Sequence, residues 1–249
     1  MWRSDALRAT VSFFTTGACN LSCPHCSQAQ FREAFSKSEM SLDVVRGVIA
    51  DVSAHPAEWQ AHLTGGEPTM WSVVVSACEL LRESGAFVSI RVYSNCVAPR
   101  VLDDLLTAGL IDLVYTDLGN CHRNNVRVLA ERWGQKRGVS DPDGKVLVAG
   151  QERSGHRILP TGPLAGSLPA VCQCPKVSVL PDGKVYPCGN LFSVSRRYGL
   201  EIPAEMESHV GQDWITAMAE VSEAKLMMDA CRHCSANKHV WETMEDAVR

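Results

Sequence analysis

Residues 9–26 read ATVSFFTTGACNLSCPHC, and the fold is decided by how this stretch is read. Residues 9–16 are β-branched and aromatic, which predicts a strand. That strand runs directly into a loop carrying Cys19, Cys23 and Cys26. Thiolates select soft or borderline metals, here zinc or iron–sulfur. A structural zinc site needs four closed ligands. The run supplies three cysteines and His25, but His25 lies directly between Pro24 and Cys26. Adjacent residues in a tight loop rarely converge on one tetrahedral ion. The open question at this point is what occupies the fourth position.

Downstream, strand and helix patterns alternate at about thirty residues per unit. Residues 39–55 have helical periodicity after a Ser41 cap, and 59–68 form a short strand that ends in a glycine turn. A helix is predicted over 71–86 with Gly85 as its stop, then a strand over 87–95 and a helix over 98–110. Next come a strand over 111–119, a helix over 124–138, and weaker strands over 145–150 and 156–161. Parallel strands need right-handed crossovers, so the sheet curls with its helices outside. About six strands fit before residue 165, short of the roughly eight that close a full barrel. The expected fold is therefore α/β, an open, partial parallel β/α barrel.

Beyond a Gly/Pro/Ala linker at 162–170 the pattern changes. Residues 176–189 form a hairpin signal around Pro181-Asp182-Gly183, and 214–230 have a helical apolar face. The expected division is 1–165 for the barrel and 166–249 for a small hairpin-plus-helix module.

The chain of 249 residues is 45% hydrophobic, with net charge −4 and scattered Lys and Arg. Neither a nucleic-acid nor an anionic-membrane partner is expected. No apolar run approaches the roughly 18 residues of a membrane span, and residues 1–14 lack a secretory signal. A cytoplasmic protein is expected, and in that compartment eleven cysteines are too many for disulfides. Cys78, Cys96 and Cys121 read as small buried hydrophobes. The others fall into two groups, 19, 23 and 26 near the start and 172, 174, 188, 231 and 234 near the end. Metal binding accounts better for both.

GGEP (Gly65, Gly66, Glu67, Pro68) follows the second predicted strand as the cysteine loop follows the first. Glycines there let the backbone approach a ligand closely, at the strand ends where α/β barrels place their active sites. CxxxCxxC after strand one with GGEP after strand two closely resembles the radical S-adenosylmethionine (SAM) enzymes. The resemblance implies that Cys19, Cys23 and Cys26 hold three irons of a 4Fe–4S cluster. The fourth iron is left to chelate the amino and carboxylate groups of SAM, and GGEP orients the amino group. It places His25 near the adenine, and puts Ser94 and Asn95 in the turn after strand three, where Cys96 replaces the family's usual glycine. Thr116 and Asp117 lie near the family's ribose-contacting position.

Cys172, Cys188, Cys231 and Cys234, with a glycine turn before Cys188, resemble the twitch module, a short form of the SPASM domain. This implies one auxiliary 4Fe–4S cluster, with Cys174 an alternative first ligand. Four thiolates would serve a structural zinc equally well. His122 and His233 read as ordinary surface or core histidines.

The resemblance implies reductive cleavage of SAM to a 5′-deoxyadenosyl radical, hydrogen abstraction, and an electron donor such as flavodoxin or ferredoxin. Twitch and SPASM members include a dehydrogenase of an aminocyclitol alcohol. The expected reaction is thus net oxidation of a small molecule, by dehydrogenation or oxidative bond formation, in natural-product biosynthesis. The rival is crosslinking or epimerisation of a ribosomally made peptide. Only about ten residues precede the first strand, too few for a peptide-recognition domain of about forty or more. A non-enzymatic iron–sulfur or zinc module would leave GGEP without a role. Arg153, His156 and Arg157 near strand ends, and Arg91 and His62 within strands, are candidate substrate contacts, although such residues are more often solvated.

Overall fold

Residues 9–14 form the strand that the sequence predicts, and the sheet extends from it on both sides. The structure is a computed structural model that describes residues 9–23, 26, 28–55, 57–117, 123–133, 146–150 and 176–223. Strand β1 (Ala9–Phe14) pairs in parallel with β2 (Trp59–Thr64) on one side. From β2 the sheet continues in parallel through β3 (Phe87–Tyr93), β4 (Leu113–Asp117) and β5 (Val146–Gly150). On the other side β1 pairs in parallel with β6 (Lys176–Val179), followed antiparallel by β7 (Lys184–Tyr186) and the two-residue β8 (Ser208–His209). The order is β5-β4-β3-β2-β1-β6-β7-β8, an open sheet with six parallel strands. Every residue of β1 is buried, with apolar Ala9, Val11 and Phe13 alternating with polar Thr10 and Ser12.

The crossovers between parallel strands are helical. Leu42–Ser53 (α2) is capped by Ser41, whose Oγ accepts from the Val44 N–H at 3.3 Å. Val74–Glu83 (α3) is followed by Gly85, and Pro99–Thr107 (α4) by Gly109. Both glycines have φ near +65°, the left-handed conformation that ends a helix without penalty for them (φ 63 and 67). Arg123–Trp133 (α5) precedes β5. These helices bury Val45, Val48, Ala77, Leu81, Leu102, Leu105, Val126 and Leu129 against Val11, Phe13, Ala61, Leu63, Ile90, Val92 and Val114 of the sheet. Each of the Val, Leu, Ile and Phe side chains contributes about 1.5–3 kcal/mol, so this layer dominates the stability of the fold. The other sheet face is polar yet buried, with Thr10, Ser12, Gln60, His62, Ser89 and Ser178.

Two features depart from the sequence pattern. The sixth parallel strand among the described residues is β6, supplied by the hairpin and laid beside β1. The predicted strand 156–161 and the linker 162–170 lie outside the described residues. The hairpin turn itself is as expected, with Gly183 at φ 83. Two helices were not predicted, Ala29–Ala34 (α1) and Leu191–Tyr198 (α6). Both are short, six and eight residues, and helices of that length are not stable in isolation. Tertiary burial makes them: Phe31, Leu191 and Val194 join Phe14, Leu180, Tyr186 and Met206 in a second core. The predicted helix at 214–230 is seen as α7 (Trp214–Glu223). It is tied to α2 by the Trp214 indole N–H donating to Asp51 at 2.6 Å. Among the described residues no helix is long and apolar enough to cross a membrane.

Candidate active site

The cysteine loop and GGEP leave adjacent strands at the same edge, and the ladder between those strands continues beyond them. Thr15 N–H donates to Thr64 O at 2.9 Å, Gly66 N–H to Thr16 O at 2.7 Å and Glu67 N–H to Ala18 O at 2.8 Å. A Cβ on Gly66 would lie 2.1 Å from the Ala18 carbonyl oxygen, and one on Gly65 (φ 127) 2.7 Å from Thr16 O. The close approach these glycines permit is therefore first to the cysteine loop itself. Gly17 has the same role from the other side, with a Cβ there 2.3 Å from the Phe35 carbonyl. The sequence reading missed Gly17, although a glycine between a strand and a ligand loop is a signal of this kind.

The Gly66 and Glu67 N–H groups are committed to this ladder, whereas no described residue donates to the carbonyl oxygens of Gly65 and Gly66. These are acceptors, as an ammonium group requires. The Glu67 carboxylate is 1% exposed and already fully engaged. It accepts from Thr69 N–H (3.0 Å), Thr69 Oγ1 (2.7 Å), Ser94 Oγ (2.7 Å) and Asn95 N–H (2.7 Å). A buried anion is tolerable only with such donors. It clamps the end of β2 to the turn after β3.

That turn is shaped in detail. Asn95 Oδ1 accepts from Val97 N–H at 3.0 Å, and Nδ2 donates to Asn20 Oδ1 at 2.9 Å and lies 3.8 Å from Cys19 Sγ. Cys96, in the place of the family's glycine, keeps the left-handed backbone at φ 61. Burial pushes its thiol up to about 11, against hydrogen bonds from Thr116 and Ser94 that lower it. Burial likewise pushes Cys78 up to about 12. Both thiols belong to the core. Thr116 is buried with its hydroxyl on Cys96, and Asp117 ends β4 opposite Gly150.

Cys19 and Cys23 line one open cavity of about 590 Å³ with Gly17, Ala18, Arg32 and Met70. Cys26 N–H donates to Cys23 O at 3.1 Å, and Arg32 of α1 fastens the loop through Leu21 O at 2.5 Å. Among the described residues no three His, Cys, Asp or Glu side chains converge on a single metal position. The irons of a cubane are spread out, so its thiolates need not converge on one point, and the cavity with its thiols fits such a group. His25 lies outside the described residues, as do Cys172, Cys174, Cys231 and Cys234.

Cys188 follows β7 and is held near this site. Gln28, two residues beyond Cys26, donates to Asn190 Oδ1 at 3.1 Å and accepts from Ser193 Oγ at 3.0 Å. Asn190 N–H in turn lies 3.4 Å from Cys188 Sγ.

The model of the Radical SAM superfamily matches residues 13–136, which span the cysteine loop, GGEP and the turn after β3. The chain carries a radical SAM domain. Its fold is similar to that of BtrN, a radical SAM dehydrogenase, in a crystal structure with AdoMet and 2-DOIA. That likeness has TM-score 0.60 at 16% identity and covers 93% of this chain and 94% of that one. A selenomethionine BtrN structure in an open conformation gives TM-score 0.55 at 15% identity over the same shares. No curated protein matches the sequence. The family implies a 4Fe–4S cluster, SAM and an electron donor, and radical SAM chemistry is what the domain supports.

Proposed function

We propose that the protein is a radical SAM oxidoreductase that carries out a net oxidation of a small molecule, dehydrogenation or oxidative bond formation. An auxiliary 4Fe–4S cluster held by Cys172, Cys188, Cys231 and Cys234, with Cys174 as the alternative first ligand, completes it. In this reading residues 1–165 are the barrel and 166–249 the auxiliary module. The observation that carries it is the ladder locking the cysteine loop to GGEP, with Cys188 joined to that loop through Gln28 and Asn190. When bound, the cluster and SAM supply a 5′-deoxyadenosyl radical that takes a hydrogen atom from substrate.

The chain's own residues bind and orient. Cys19, Cys23 and Cys26 hold the cluster, and the Gly65 and Gly66 carbonyls accept from the ammonium group of SAM. Glu67 fixes the glycine turn and the 94–95 turn as one unit rather than meeting the cofactor itself. His25, Pro68 and Asp117 complete the cofactor site, and Thr116 acts through Cys96. The walls of the partial barrel exclude water from the radical.

The test is anaerobic reconstitution with iron and sulfide, then reduction in the presence of SAM. About eight irons per chain support two clusters, and about four leave the C-terminal cysteines to zinc or to no metal. C19A abolishes 5′-deoxyadenosine formation. Absence of 5′-deoxyadenosine from fully loaded wild-type protein overturns the enzyme reading.

A further inference from the structure

The sheet face turned away from the helices carries polar chemistry that the cofactor site does not use. In register across four strands stand Ser178, Ser12, His62 and Arg91. Two residues nearer the cysteine loop, Phe14 faces Thr64 and Tyr93 faces Tyr115. Ser12, His62 and Ser178 are buried, as are Thr10, Gln60 and Ser89 in the row below. A face built only for packing would be apolar, as the opposite face of the same strands is. Polar groups in a buried layer cost stability unless they have polar partners, and they are characteristic of ligand cavities.

Arg91 is the charged group of this layer among the residues whose side chains are described, and it is half-buried. Its Nε donates to Ser89 Oγ at 3.2 Å and its Nη1 to Tyr115 Oη at 3.1 Å. The guanidinium lies 5.9 Å from the centre of the Tyr115 ring, which stacks on Tyr93 at 4.7 Å, with Tyr93 beside His62 at 5.3 Å. Both hydrogen-bond partners are neutral, and no carboxylate of a described residue pairs with Arg91. The cation is thus held rigid by neutral groups and keeps its Nη2 amino group and one Nη1 hydrogen for a partner. A planar fork of this kind matches the two oxygens of a carboxylate or phosphate.

We propose that Arg91 anchors an oxyanion of the substrate, a carboxylate or phosphate, with the Tyr93–Tyr115 stack as the adjoining wall. The inference rests on the radical SAM reading only for calling that ligand the substrate. β3 rises about 3.3 Å per residue, so Arg91 lies about 10 Å below Ser94, at the level of the Glu67 clamp. An oxyanion bound at Arg91 leaves the rest of a small molecule directed toward the cofactor end of the barrel.

The experiment uses the reconstituted full chain with two probes, acetate and inorganic phosphate, at constant ionic strength in chloride. Acetate binding is read by proton saturation-transfer difference and phosphate binding by phosphorus line broadening. Wild type should show a saturable signal with at least one probe. R91M should lose it, R91K should weaken it about tenfold because a point charge replaces the fork, and R100M, at an exposed arginine, should leave it unchanged. A response to acetate alone assigns a carboxylate, to phosphate alone a phosphorylated substrate, and to both the shared oxyanion chemistry. No saturable signal in wild type, or equal signals in wild type and the folded Arg91 variants, overturns the assignment. If R91M fails to fold, R91K decides by the same criterion. Wild-type 5′-deoxyadenosine formation is measured separately. SAM cleavage without probe binding removes the Arg91 assignment alone, and probe binding through Arg91 without cleavage keeps the oxyanion site while removing the radical reading.

Discussion

The side-chain nitrogen of Asn95 lies 3.8 Å from the sulfur of Cys19, across 76 positions of sequence. The orientation of the amide is fixed by its other end, since Oδ1 accepts from the Val97 N–H and the donor must then face Asn20 and Cys19. A donor directed at a ligating sulfur stabilises the added negative charge of a reduced cluster. N95D keeps the acceptor for Val97 and removes the donor. It is expected to lower the midpoint potential of the first cluster, measured by a titration followed by electron paramagnetic resonance, with full iron loading. An unchanged potential would reduce the contact to packing.

Gly66 has no room for a methyl group, and the obstacle is backbone. G66A should break the hydrogen bonds to Thr16 and Ala18 and destabilise the fold by about 2 kcal/mol or more. At Gly85 nothing lies within 4 Å, so G85A should cost only about 1 kcal/mol for its left-handed backbone. Urea unfolding of the metal-free protein compares the two, and equal losses would refute the ladder argument.

E67Q places an amide amino group among donors that need an acceptor. Leaving buried donors unmatched costs about 1–3 kcal/mol each, so the melting temperature should fall by several degrees. Because the carboxylate also holds Asn95, E67Q should shift the cluster potential in the same direction as N95D. A change in stability with no change in potential would separate the two roles.

Cys96 adopts a backbone conformation that costs a non-glycine residue about 1 kcal/mol or more. C96G relieves that strain and leaves a small void, so its net effect on stability should stay within about 1 kcal/mol. C96V combines β-branching with the same φ and should be destabilising by at least about 2 kcal/mol. Equal stability of C96V and wild type would show that the turn can rearrange.

Glu207 accepts from Lys184 Nζ at 2.7 Å and from Tyr186 Oη at 2.6 Å. Burial works to raise its carboxyl, but the Lys184 ammonium and the Tyr186 hydroxyl together hold it below the usual carboxylate range. A carboxyl lowered on folding stabilises fully above its unfolded value of about 4.3 and loses that contribution as pH falls through the folded value. E207Q should therefore melt below wild type at pH 7, by an amount on the order of 1 kcal/mol or less, since the pair is partly exposed. The gap should close in acid below the folded value. A gap that persists there would be packing rather than charge.

Much of this was legible in the chain. Ser41 as a cap, Gly85 and Gly109 as stops and Pro181-Asp182-Gly183 as a turn are local signals, and each needs only its neighbours to act. α1 and α6 were not legible, because their helices depend on burying Phe31, Leu191 and Val194 against Phe14 of β1, Tyr186 of β7, Leu180 and Met206. Nor was the position of β6, since a strand carries no local record of which edge it will join. In the site, the residue types and spacing of CxxxCxxC and GGEP identified the chemistry. The partners of each side chain could not be read in the same way: Glu67 as a clamp, Thr116 on Cys96 and Gln28 on Asn190 are relations between distant segments.

The sequence by itself determined the alternation of strands and crossover helices from β1 to β5, the thiol loop at the end of the first strand and the glycine turn at the end of the second. These are properties of neighbouring residues, fixed by periodicity, turn chemistry and ligand spacing. Only the tertiary structure decided that the two loops continue one hydrogen-bonded ladder, that Asn95 turns its donor toward Cys19, and that Arg91 stands among neutral partners on the face away from the helices. Those facts depend on strand register, which brings together residues far apart in the chain and sets which face each one shares.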